Sequence, residues 1–377
     1  MTLTQDSTAP GYEAVAELFA ATADAAGEYD AQLVVYVRGE RVVDLASGIG
    51  ADAMMTVFSA SKGLAAIALA LLVDQGRLDL DATVAHYWPE FGAAGKQAVT
   101  VRQLLSHQAG LPGTDEAIPT DAWLDHHRAA DLLARQRPLW RPGAGFGYHA
   151  MTLGSLMSEL CFRVTGMPLQ EFYEQEVRRP ASADAFLGLP DELEDRVVEL
   201  LPMADPTAEQ LAEFGPLFTA PRGPYLAQAF AFDPAVAPSK QGRAFGQPAS
   251  GGVASARGLA AVYQWAAGFG DAASGITSET LAEFAQPQVL GYDLVLDQPY
   301  RSHGVVFQKP VPAVPFGSYR AFGHDGAGGA MAFADPARQT VLAYTVRRAP
   351  FPGGMDRRVL EFAAAVERAV DGAGPTS

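Results

Sequence analysis

The chain has 377 residues, of which 49% are hydrophobic and 19% are charged, and its formal net charge is −16. This composition excludes a mainly disordered chain, because it supplies enough apolar side chains for a large core. The negative charge argues against nucleic acid or an anionic membrane surface as a partner, since both would be repelled. The single cysteine, Cys161, can form neither an internal disulfide nor a multi-cysteine metal site, which fits a reducing compartment. We expect it to pack in the core.

The N-terminal segment, residues 1–10, contains neither a basic region nor an apolar region, so it does not resemble a secretory signal. The longest apolar run extends from Leu64 to Val73, which is about half the length that a membrane span needs. We therefore expect no transmembrane segment and a cytoplasmic protein.

The first part of the chain predicts a helix, a hairpin and a second helix. Apolar residues recur at helical spacing from Tyr12 to Ala26. Two β-rich runs, Gln32 to Val37 and Arg41 to Ala46, flank a short glycine-bearing gap that is typical of a hairpin. After a short apolar run, a stretch rich in alanine and leucine predicts a helix from Ser59 to Gln75, closed by Gly76.

The middle of the chain is mostly helical in pattern. Helical segments are predicted at four places: Val101 to His107, Ala122 to Arg137, Met151 to Thr165 and Leu169 to Arg178. From Pro202 to Pro248 prolines are frequent and periodicity is weak, so we expect long ordered loops over a surface or a cleft. Substrate specificity is expected to reside in these loops.

Strand patterns return near the C-terminus. They cover three runs: His303 to Gln308, Gly329 to Ala334 and Thr340 to Arg347. A last helix is predicted from about Met355 to Val370. Strands at both ends of the chain around a helical middle predict one mixed sheet built from both termini, with a helical domain inserted between its halves. We expect the sheet domain to comprise residues 1–76 and 250–377, and the inserted domain residues 77–249.

Three common catalytic motifs are absent from the sequence. No serine has a glycine two positions before it, so there is no G-x-S-x-G nucleophile elbow of the ordinary α/β-hydrolases. No G-x-x-x-x-G-K motif and no well-placed G-x-G-x-x-G motif are present, so nucleotide binding lacks its usual cradle. The seven histidines show no H-E-x-x-H spacing, which leaves a zinc hydrolase unsupported. We expect neither a metal nor a cofactor.

The remaining candidate for catalysis is the segment from Ser59 to Lys62. A serine in the first helical turn lies where free backbone N–H groups favour negative charge, and a residue three positions later shares its face. This spacing directs the Lys62 amine toward the Ser59 hydroxyl. Burial would lower the lysine pKa, and a neutral amine could then accept the serine proton. By themselves these residues leave an alternative open, in which Ser59 only caps the helix and Lys62 is solvated.

The surroundings of this motif resemble a known superfamily. The resemblance rests on six segments: Val57 to Gly63, Leu72 to Asp81, Leu104 to Pro112, Pro142-Gly143, Gly147-Tyr148 and Gly251 to Ser255. They are similar to the serine β-lactamase-like superfamily, and more specifically to its branch of class C β-lactamases, DD-peptidases and family VIII carboxylesterases. The resemblance extends from about residue 30 to residue 350. It implies an α+β fold of the β-lactamase/transpeptidase type, with an antiparallel sheet flanked by helices and an inserted, mainly helical domain.

The resemblance also implies roles for residues of a second motif, Y-x-N in the family. It maps onto Tyr148-His149-Ala150, and Tyr148 would serve as proton acceptor or relay, with its phenolate favoured beside a cationic Lys62. Ala150 departs from the pattern and removes an amide that contacts the substrate in β-lactamases, which puts efficient β-lactam hydrolysis in doubt. Alternatively, Tyr148 is a core aromatic residue. We assign no catalytic role to His149.

A third family motif, usually K-T-G on an edge strand, maps onto His324-Asp325-Gly326. Histidine at the first position also occurs in peptidase and esterase relatives. The resemblance implies that Gly326 lets a substrate approach the strand, and that the Ala327 and Ser59 N–H groups form an oxyanion hole. His324 would lie at the rim of the site. Alternatively, this segment is a flexible turn and His324 a surface residue.

The residues and the resemblance together predict a serine hydrolase that forms an acyl-enzyme, specifically a carboxylesterase for small acyl esters. Ester substrates are preferred in this interpretation because the second and third motifs are altered and no signal segment is evident. One alternative is an amide or β-lactam hydrolase, such as a β-lactamase, a D-aminopeptidase or an oligomeric-amide hydrolase. Another is a non-catalytic binding or sensing module with the same fold. We expect a small-molecule partner, and neither nucleic acid nor membrane; the oligomeric state is not predicted.

Overall fold

Strands from the two ends of the chain pair into one six-stranded sheet. The computed structural model describes residues 3–215, 223–270 and 273–372. Its strands are β1 (Gln5–Thr8), β2 (Ala31–Val37), β3 (Glu40–Ser47), β4 (Met55–Thr56), β5 (Ala185–Phe186), β6 (Val253–Ala254), β7 (Val289–Asp293), β8 (Gln298–His303), β9 (Phe322–Asp325), β10 (Met331–Asp335) and β11 (Thr340–Val346). The six strands follow the order β1-β3-β2-β11-β10-β9, and every pairing is antiparallel. The antiparallel sheet is thus confirmed, and the expectation of a mixed sheet is wrong.

The helices lie mostly in the middle of the chain. The α-helices are α1 (Glu13–Ala26), α2 (Ser61–Asp74), α3 (Val84–Tyr87), α4 (Val101–Leu105), α5 (Arg128–Arg135), α6 (Thr152–Thr165), α7 (Leu169–Tyr173), α8 (Arg179–Ala181), α9 (Ala208–Phe214), α10 (Leu226–Ala229), α11 (Lys240–Phe245), α12 (Ala256–Ala267), α13 (Ser278–Ala285) and α14 (Arg358–Gly372). Short 3-10 helices cover Phe58–Ala60, Pro89–Gly95, Thr120–Leu124 and Asp191–Arg196, and a π-helical turn covers Glu174–Arg178. Within the described ranges, no helix combines the length and the apolar character that crossing a membrane requires.

Both faces of the six-stranded sheet are covered by helices. Along β2, Leu33 and Val35 belong to the core formed with α1 and α14, whereas Val34 belongs to the core that includes α12 and α2. Because successive side chains of a strand point to opposite faces, a strand buried on both faces is mostly apolar along its whole length. This explains the nearly continuous apolar run of β2, whose burial leaves only Tyr36 partly exposed.

Helix α2 is surrounded by protein on all sides. Its residues from Ser61 to Leu72 are buried, and it contacts α6 and α7 as well as α12 and α13. A helix that is apolar around its whole circumference is typical of such a central position. The start of α2 therefore lies deep between the sheet and the helical part of the chain.

The helix expected from Ala122 to Arg137 is divided into the 3-10 helix Thr120–Leu124 and α5, and two other predicted segments differ more strongly from the structure. The strand expected from His303 to Gln308 ends at His303, because β8 precedes it and the next residues form a tight turn in which Val306 has φ 66°. The apolar side chains of Val305 to Phe307 are buried against other segments, and their backbone is not paired with a neighbouring strand of the described chain. Their apolar pattern therefore resembles that of a strand although they form a turn. The described part of the region from Pro202 to Pro248 contains three short helices, α9 to α11, where only loops were expected. Residues 216–222 of that region lie outside the described residues.

Candidate active site

Ser59 lies in a constrained turn between β4 and α2. The 3-10 helix Phe58–Ala60 leads directly into α2, and Phe58 adopts a left-handed conformation with φ 45°. Such a conformation is rare for a residue with a side chain and is found where surrounding contacts enforce it. Here Ser61 supplies those contacts: its hydroxyl donates to the Phe58 carbonyl and accepts from the Gly252 N–H at 2.8 Å. The turn is therefore fixed from both sides.

The Lys62 side chain is fully buried beside Ser59. Its Nζ lies 3.2 Å from Ser59 Oγ and donates to the carbonyl oxygens of Ala150 at 2.7 Å and Ala249 at 2.9 Å. Burial lowers the pKa of Lys62 to about 7, and the charge of Asp325 opposes this shift. A neutral amine has two N–H donors and one lone pair. The two carbonyls can take both donors, which directs the lone pair toward Ser59 Oγ and enables it to accept the serine proton.

These contacts contradict the alternative of a capping serine beside a solvated lysine. No side chain caps the N-terminus of α2, and none caps the preceding 3-10 turn. Lys62 has no exposed surface at all. Ser59 and Lys62 therefore do not form a capped helix start with a solvated lysine, and their contact has the geometry that proton transfer requires.

Tyr148 reaches Ser59 from the helical part of the chain. Its hydroxyl donates to Ser59 Oγ at 2.8 Å, and Lys62 Nζ lies 4.9 Å from the centre of its ring. Burial raises the pKa of Tyr148 well above its usual value. The expectation of a favoured phenolate is therefore wrong for the resting site, because removing the ring from water disfavours its charged form. The phenol can instead donate and relay a proton.

A buried carboxylate that we did not predict from the sequence holds the Tyr148 backbone. Asp293, at the end of β7, has no exposed surface, and both of its oxygens lie 3.1 Å from the Tyr148 N–H. It also accepts from the N–H groups of Val295 and Leu296 at 2.9 Å, so one carboxylate caps a turn and positions Tyr148. In the sequence, the only sign of this role is that Asp293 precedes a turn, and many surface aspartates also precede turns.

The third motif lies on β9, the edge strand of the sheet, as expected. His324, however, has no exposed surface, so it is neither a rim residue nor a surface residue of a flexible turn. Its Nδ1 lies 2.8 Å from the Asp325 carbonyl oxygen. Burial lowers the pKa of His324 well below its usual value, and the charge of Lys62 adds to this shift. The imidazole is therefore neutral at pH 7.

Gly326 allows the end of β9 to contact the turn that carries Ser59. A side chain at this position would place its Cβ 2.0 Å from the Val57 carbonyl oxygen. The protein backbone by itself therefore requires glycine at this position, and a role of Gly326 in the approach of a substrate stays a prediction. In the described part of the chain, the N–H groups of Ser59 and Ala327 have no hydrogen-bond acceptor. Both remain available for an oxyanion.

Two further residues of the second motif have backbone or packing contacts. Ala150 contributes its carbonyl oxygen to Lys62, a contact that does not depend on the missing asparagine side chain. His149 is buried, accepts from the Leu111 N–H through Nε2 at 2.9 Å, and has Nδ1 2.6 Å from the Gly147 carbonyl oxygen. Across residues 3–215, 223–270 and 273–372, no group of three or more histidine, cysteine, aspartate or glutamate side chains could hold a metal ion.

Known proteins share this fold and sequence over nearly the whole chain. EstA from Arthrobacter nitroguajacolicus Rue61a is 40% identical with a TM-score of 0.88, covering 99% of this chain and 100% of EstA. A family VIII carboxylesterase is 30% identical with a TM-score of 0.87, covering 98% of this chain and 100% of that protein. The esterase/beta-lactamase LipL of Mycobacterium tuberculosis (strain ATCC 25618 / H37Rv) is 33% identical over 336 residues, 84% of this chain and 76% of LipL. The family model named Beta-lactamase matches residues 15–365. The chain therefore belongs to the beta-lactamase family, as a serine hydrolase with the β-lactamase/transpeptidase-like fold.

Proposed function

We propose that the protein is a carboxylesterase of the family VIII type that cleaves small acyl esters through an acyl-enzyme on Ser59. The observation that carries this proposal is the set of contacts around Lys62 Nζ. Two carbonyl oxygens occupy its donors and Ser59 Oγ lies at 3.2 Å, so the lysine is arranged as the base for this serine.

Acylation follows from these contacts. Ser59 Oγ attacks the ester carbonyl carbon while its proton passes to Lys62 Nζ, and the N–H groups of Ser59 and Ala327 bind the oxyanion. When the tetrahedral intermediate collapses, the leaving alkoxide takes a proton from the Tyr148 hydroxyl. Lys62, which contacts the same side of the site as Tyr148, then gives its proton to the Tyr148 phenolate, so both groups return to their starting state.

Deacylation reverses the roles of the same groups. A water molecule gives a proton to the Lys62–Tyr148 pair as its oxygen attacks the acyl carbonyl carbon. The bond to Ser59 Oγ then breaks, and the proton returns to the serine. No group other than these three side chains and the two backbone N–H groups is needed for either half-reaction.

Two features favour esters over amides and β-lactams. Ala150 supplies no side-chain amide for a substrate amide group, and the third motif carries a buried neutral imidazole in place of a lysine cation. A permanent cation would suit a substrate carboxylate, whereas a neutral ring suits an uncharged ester. The family VIII carboxylesterase, which is similar over nearly the whole chain, supports the same conclusion.

The test is a substrate panel with matched variants. Hydrolysis of p-nitrophenyl esters from acetyl to octanoyl is compared with that of nitrocefin and a D-alanyl amide, using wild type, Ser59→Ala and Ser278→Ala. We expect ester turnover to dominate, Ser59→Ala to abolish it, and Ser278→Ala, which changes an exposed serine far from the site in sequence, to retain it. Ester turnover by purified Ser59→Ala would overturn the proposal.

β-Lactam hydrolysis is the second candidate, because LipL, an esterase/beta-lactamase, is 33% identical. Faster turnover of nitrocefin than of any ester in the panel would favour it. A non-catalytic module of the same fold would hydrolyse none of the substrates and would not react with a phosphonate probe.

We further propose a cytoplasmic location, supported only by the single, reduced and buried Cys161. Recovery of the native protein in a membrane or secreted fraction would contradict this location.

A further inference from the structure

Four histidines form a buried group behind Tyr148, which we call the histidine cluster: His107, His149, His303 and His324. None of them has exposed surface. The ring centres of His107 and His303 are 4.6 Å apart, and those of His107 and His149 are 5.6 Å apart. The Tyr148 ring lies nearly parallel to His303 and is 6.2 Å from both His303 and His324. The catalytic steps above use none of these imidazoles.

Hydrogen bonds fix the proton positions on two of the rings. The Leu111 N–H donates to His149 Nε2, so His149 carries its proton on Nδ1, which donates to the Gly147 carbonyl. The His149 N–H in turn donates to His107 Nδ1 at 3.0 Å. His107 must therefore carry its proton on Nε2, and this buried donor has no partner in the described chain.

His324 has the opposite arrangement. Its Nδ1 carries the proton, because the Asp325 carbonyl oxygen beside it can only accept. Its Nε2 is therefore a buried acceptor without a partner among the described residues. His303 has no partner in the described chain for either nitrogen, although a neutral imidazole offers one donor and one acceptor. Buried polar atoms are rarely left unpaired, because each costs the free energy of a lost hydrogen bond.

A neutral His303 offers the acceptor that His107 Nε2–H lacks and the donor that His324 Nε2 lacks. We propose that His303 is a positioning residue that accepts from His107 Nε2–H and donates toward His324 Nε2, with ordered water bridging the gaps between rings. This row of hydrogen bonds from His107 through His303 to His324, which we call the line, fixes the ring of Tyr148 and the third motif relative to Ser59. The inference rests on the proposed function, since the groups it positions are those assigned to proton transfer and to the oxyanion hole.

The backbone around the cluster shows that these positions are strictly determined. His107 and Val306 both adopt left-handed conformations, with φ 63° and 66°. This conformation is a genuine outlier for a β-branched residue and persists only where surrounding contacts enforce it. The Val306 N–H donates to the Leu105 carbonyl at 2.8 Å, which fastens the turn after His303 to the segment that carries His107. The fold thus holds the two rings together at a cost in backbone strain.

Burial and two nearby cations keep the cluster neutral. Lys62 of α2 acts on His107, His303 and His324, and Arg301 of β8 acts on His303 and His324. The charges of Asp293 of β7 and Asp325 of β9 act on Tyr148, beside the cluster. Burial lowers the pKa of His107, His303 and His324 well below the usual value, and the charge of Lys62 lowers each further. A protonated His303 would have two donors and no acceptor, which would break the line at His107.

The first test compares two substitutions of His303 that differ in hydrogen bonding. Glutamine keeps one donor group and one acceptor, so His303→Gln should retain most of the wild-type kcat. His303→Leu should lower kcat by about ten- to a hundredfold with little change in KM, because misplaced catalytic groups slow the chemical step. His86→Gln and His86→Leu, at an exposed histidine, serve as matched controls and should match wild type. Equal losses in the two His303 variants, or full activity of His303→Leu, would overturn the proposal.

The second test does not depend on turnover or on a variant. Nitrogen-15 NMR of the histidine rings in the wild-type protein reports tautomer and charge. We expect Nδ1–H for His149 and His324, Nε2–H for His107, and rings that stay neutral below the usual histidine pKa of about 6.5. A His303 that titrates like an ordinary histidine, or a His107 protonated on Nδ1, would refute the line. If the wild type hydrolysed no substrate, the proposed function would fail, while the tautomer pattern would still decide this proposal.

Discussion

Two buried lysines occupy similar surroundings in different parts of the molecule, yet only one lies beside a nucleophile. Lys62 begins α2, and Lys96 follows the 3-10 helix Pro89–Gly95; neither has exposed surface. The Nζ of Lys96 donates to three carbonyl oxygens, those of Ala93 and Ala134 at 2.9 Å and Gln136 at 2.6 Å. Lys62 has two carbonyl partners, and its third partner is the Ser59 hydroxyl.

Burial acts on both lysines in the same direction. It lowers the pKa of Lys62 to about 7 and that of Lys96 to about 8. A lowered lysine pKa is therefore not by itself evidence for a base. What distinguishes Lys62 is that one of its three partners can give up a proton, whereas every partner of Lys96 can only accept. The comparison favours a structural role for Lys96 and supports the proposal that Lys62 is the base.

The largest expected difference between the two lysines is in catalysis. Lys62→Met should lower kcat for a p-nitrophenyl ester by about 10²- to 10⁴-fold, because it removes the general base. Lys96→Met should leave kcat of the folded enzyme unchanged and instead lower the Tm, since buried carbonyls lose their donor. Steady-state kinetics with circular dichroism melting would measure both. Comparable losses of kcat in the two variants would erase the distinction.

The next effect concerns the coupling of Lys62 to Tyr148. Tyr148→Phe should lower kcat by orders of magnitude, and the double variant with Lys62→Met should lose little more than either single variant. The reason is that both side chains contact the same oxygen, Ser59 Oγ, and act as one proton-transfer unit. A double-mutant cycle on kcat measures this. Losses that simply multiply would show two independent groups.

The pH dependence of the reaction should follow Lys62 and not Lys96. Below its pKa of about 7, Lys62 becomes protonated and cannot accept the serine proton. The value of kcat/KM should then fall by about tenfold for each pH unit, and it should level off above that pKa. For Lys96→Met, kcat/KM should fall at low pH in the same way as it does for wild type. A limb that moved with the Lys96 substitution would contradict the assignment.

The smallest expected effect is on stability. The pKa of Lys62 is lowered from 10.5 to about 7 by folding, so between these values the unfolded chain binds more protons than the folded protein. The free energy of unfolding contributed by this residue should therefore rise with pH across that window, and the burial penalty should be fully present below it. Urea unfolding of wild type and Lys62→Met at several pH values tests this. If the difference in the free energy of unfolding between the two proteins did not vary with pH, the lowered pKa of Lys62 would be contradicted.

Much of the secondary structure near the chain ends could be predicted from the sequence. Helix α1 follows from the helical spacing of its apolar residues, and the β2–β3 hairpin follows from two β-rich runs around a short glycine-bearing gap. The run from Val305 to Phe307 shows the limit of this reasoning. Its apolar residues are buried in a turn docked on Leu105, and burial by a distant segment leaves the same pattern as a strand.

The sequence by itself determined the spacing of Ser59 and Lys62, because three residues at the start of a helix bring two side chains to one face. Only the tertiary structure decided that Lys62 is buried. Its carbonyl partners lie 88 and 187 residues away in the chain, and local patterns carry no information about such contacts. The same holds for Asp293, 145 residues from Tyr148, and for the unpaired nitrogens of His303. Residue types and short spacings thus specify which groups can react, whereas long-range packing sets their burial, charge and hydrogen bonds.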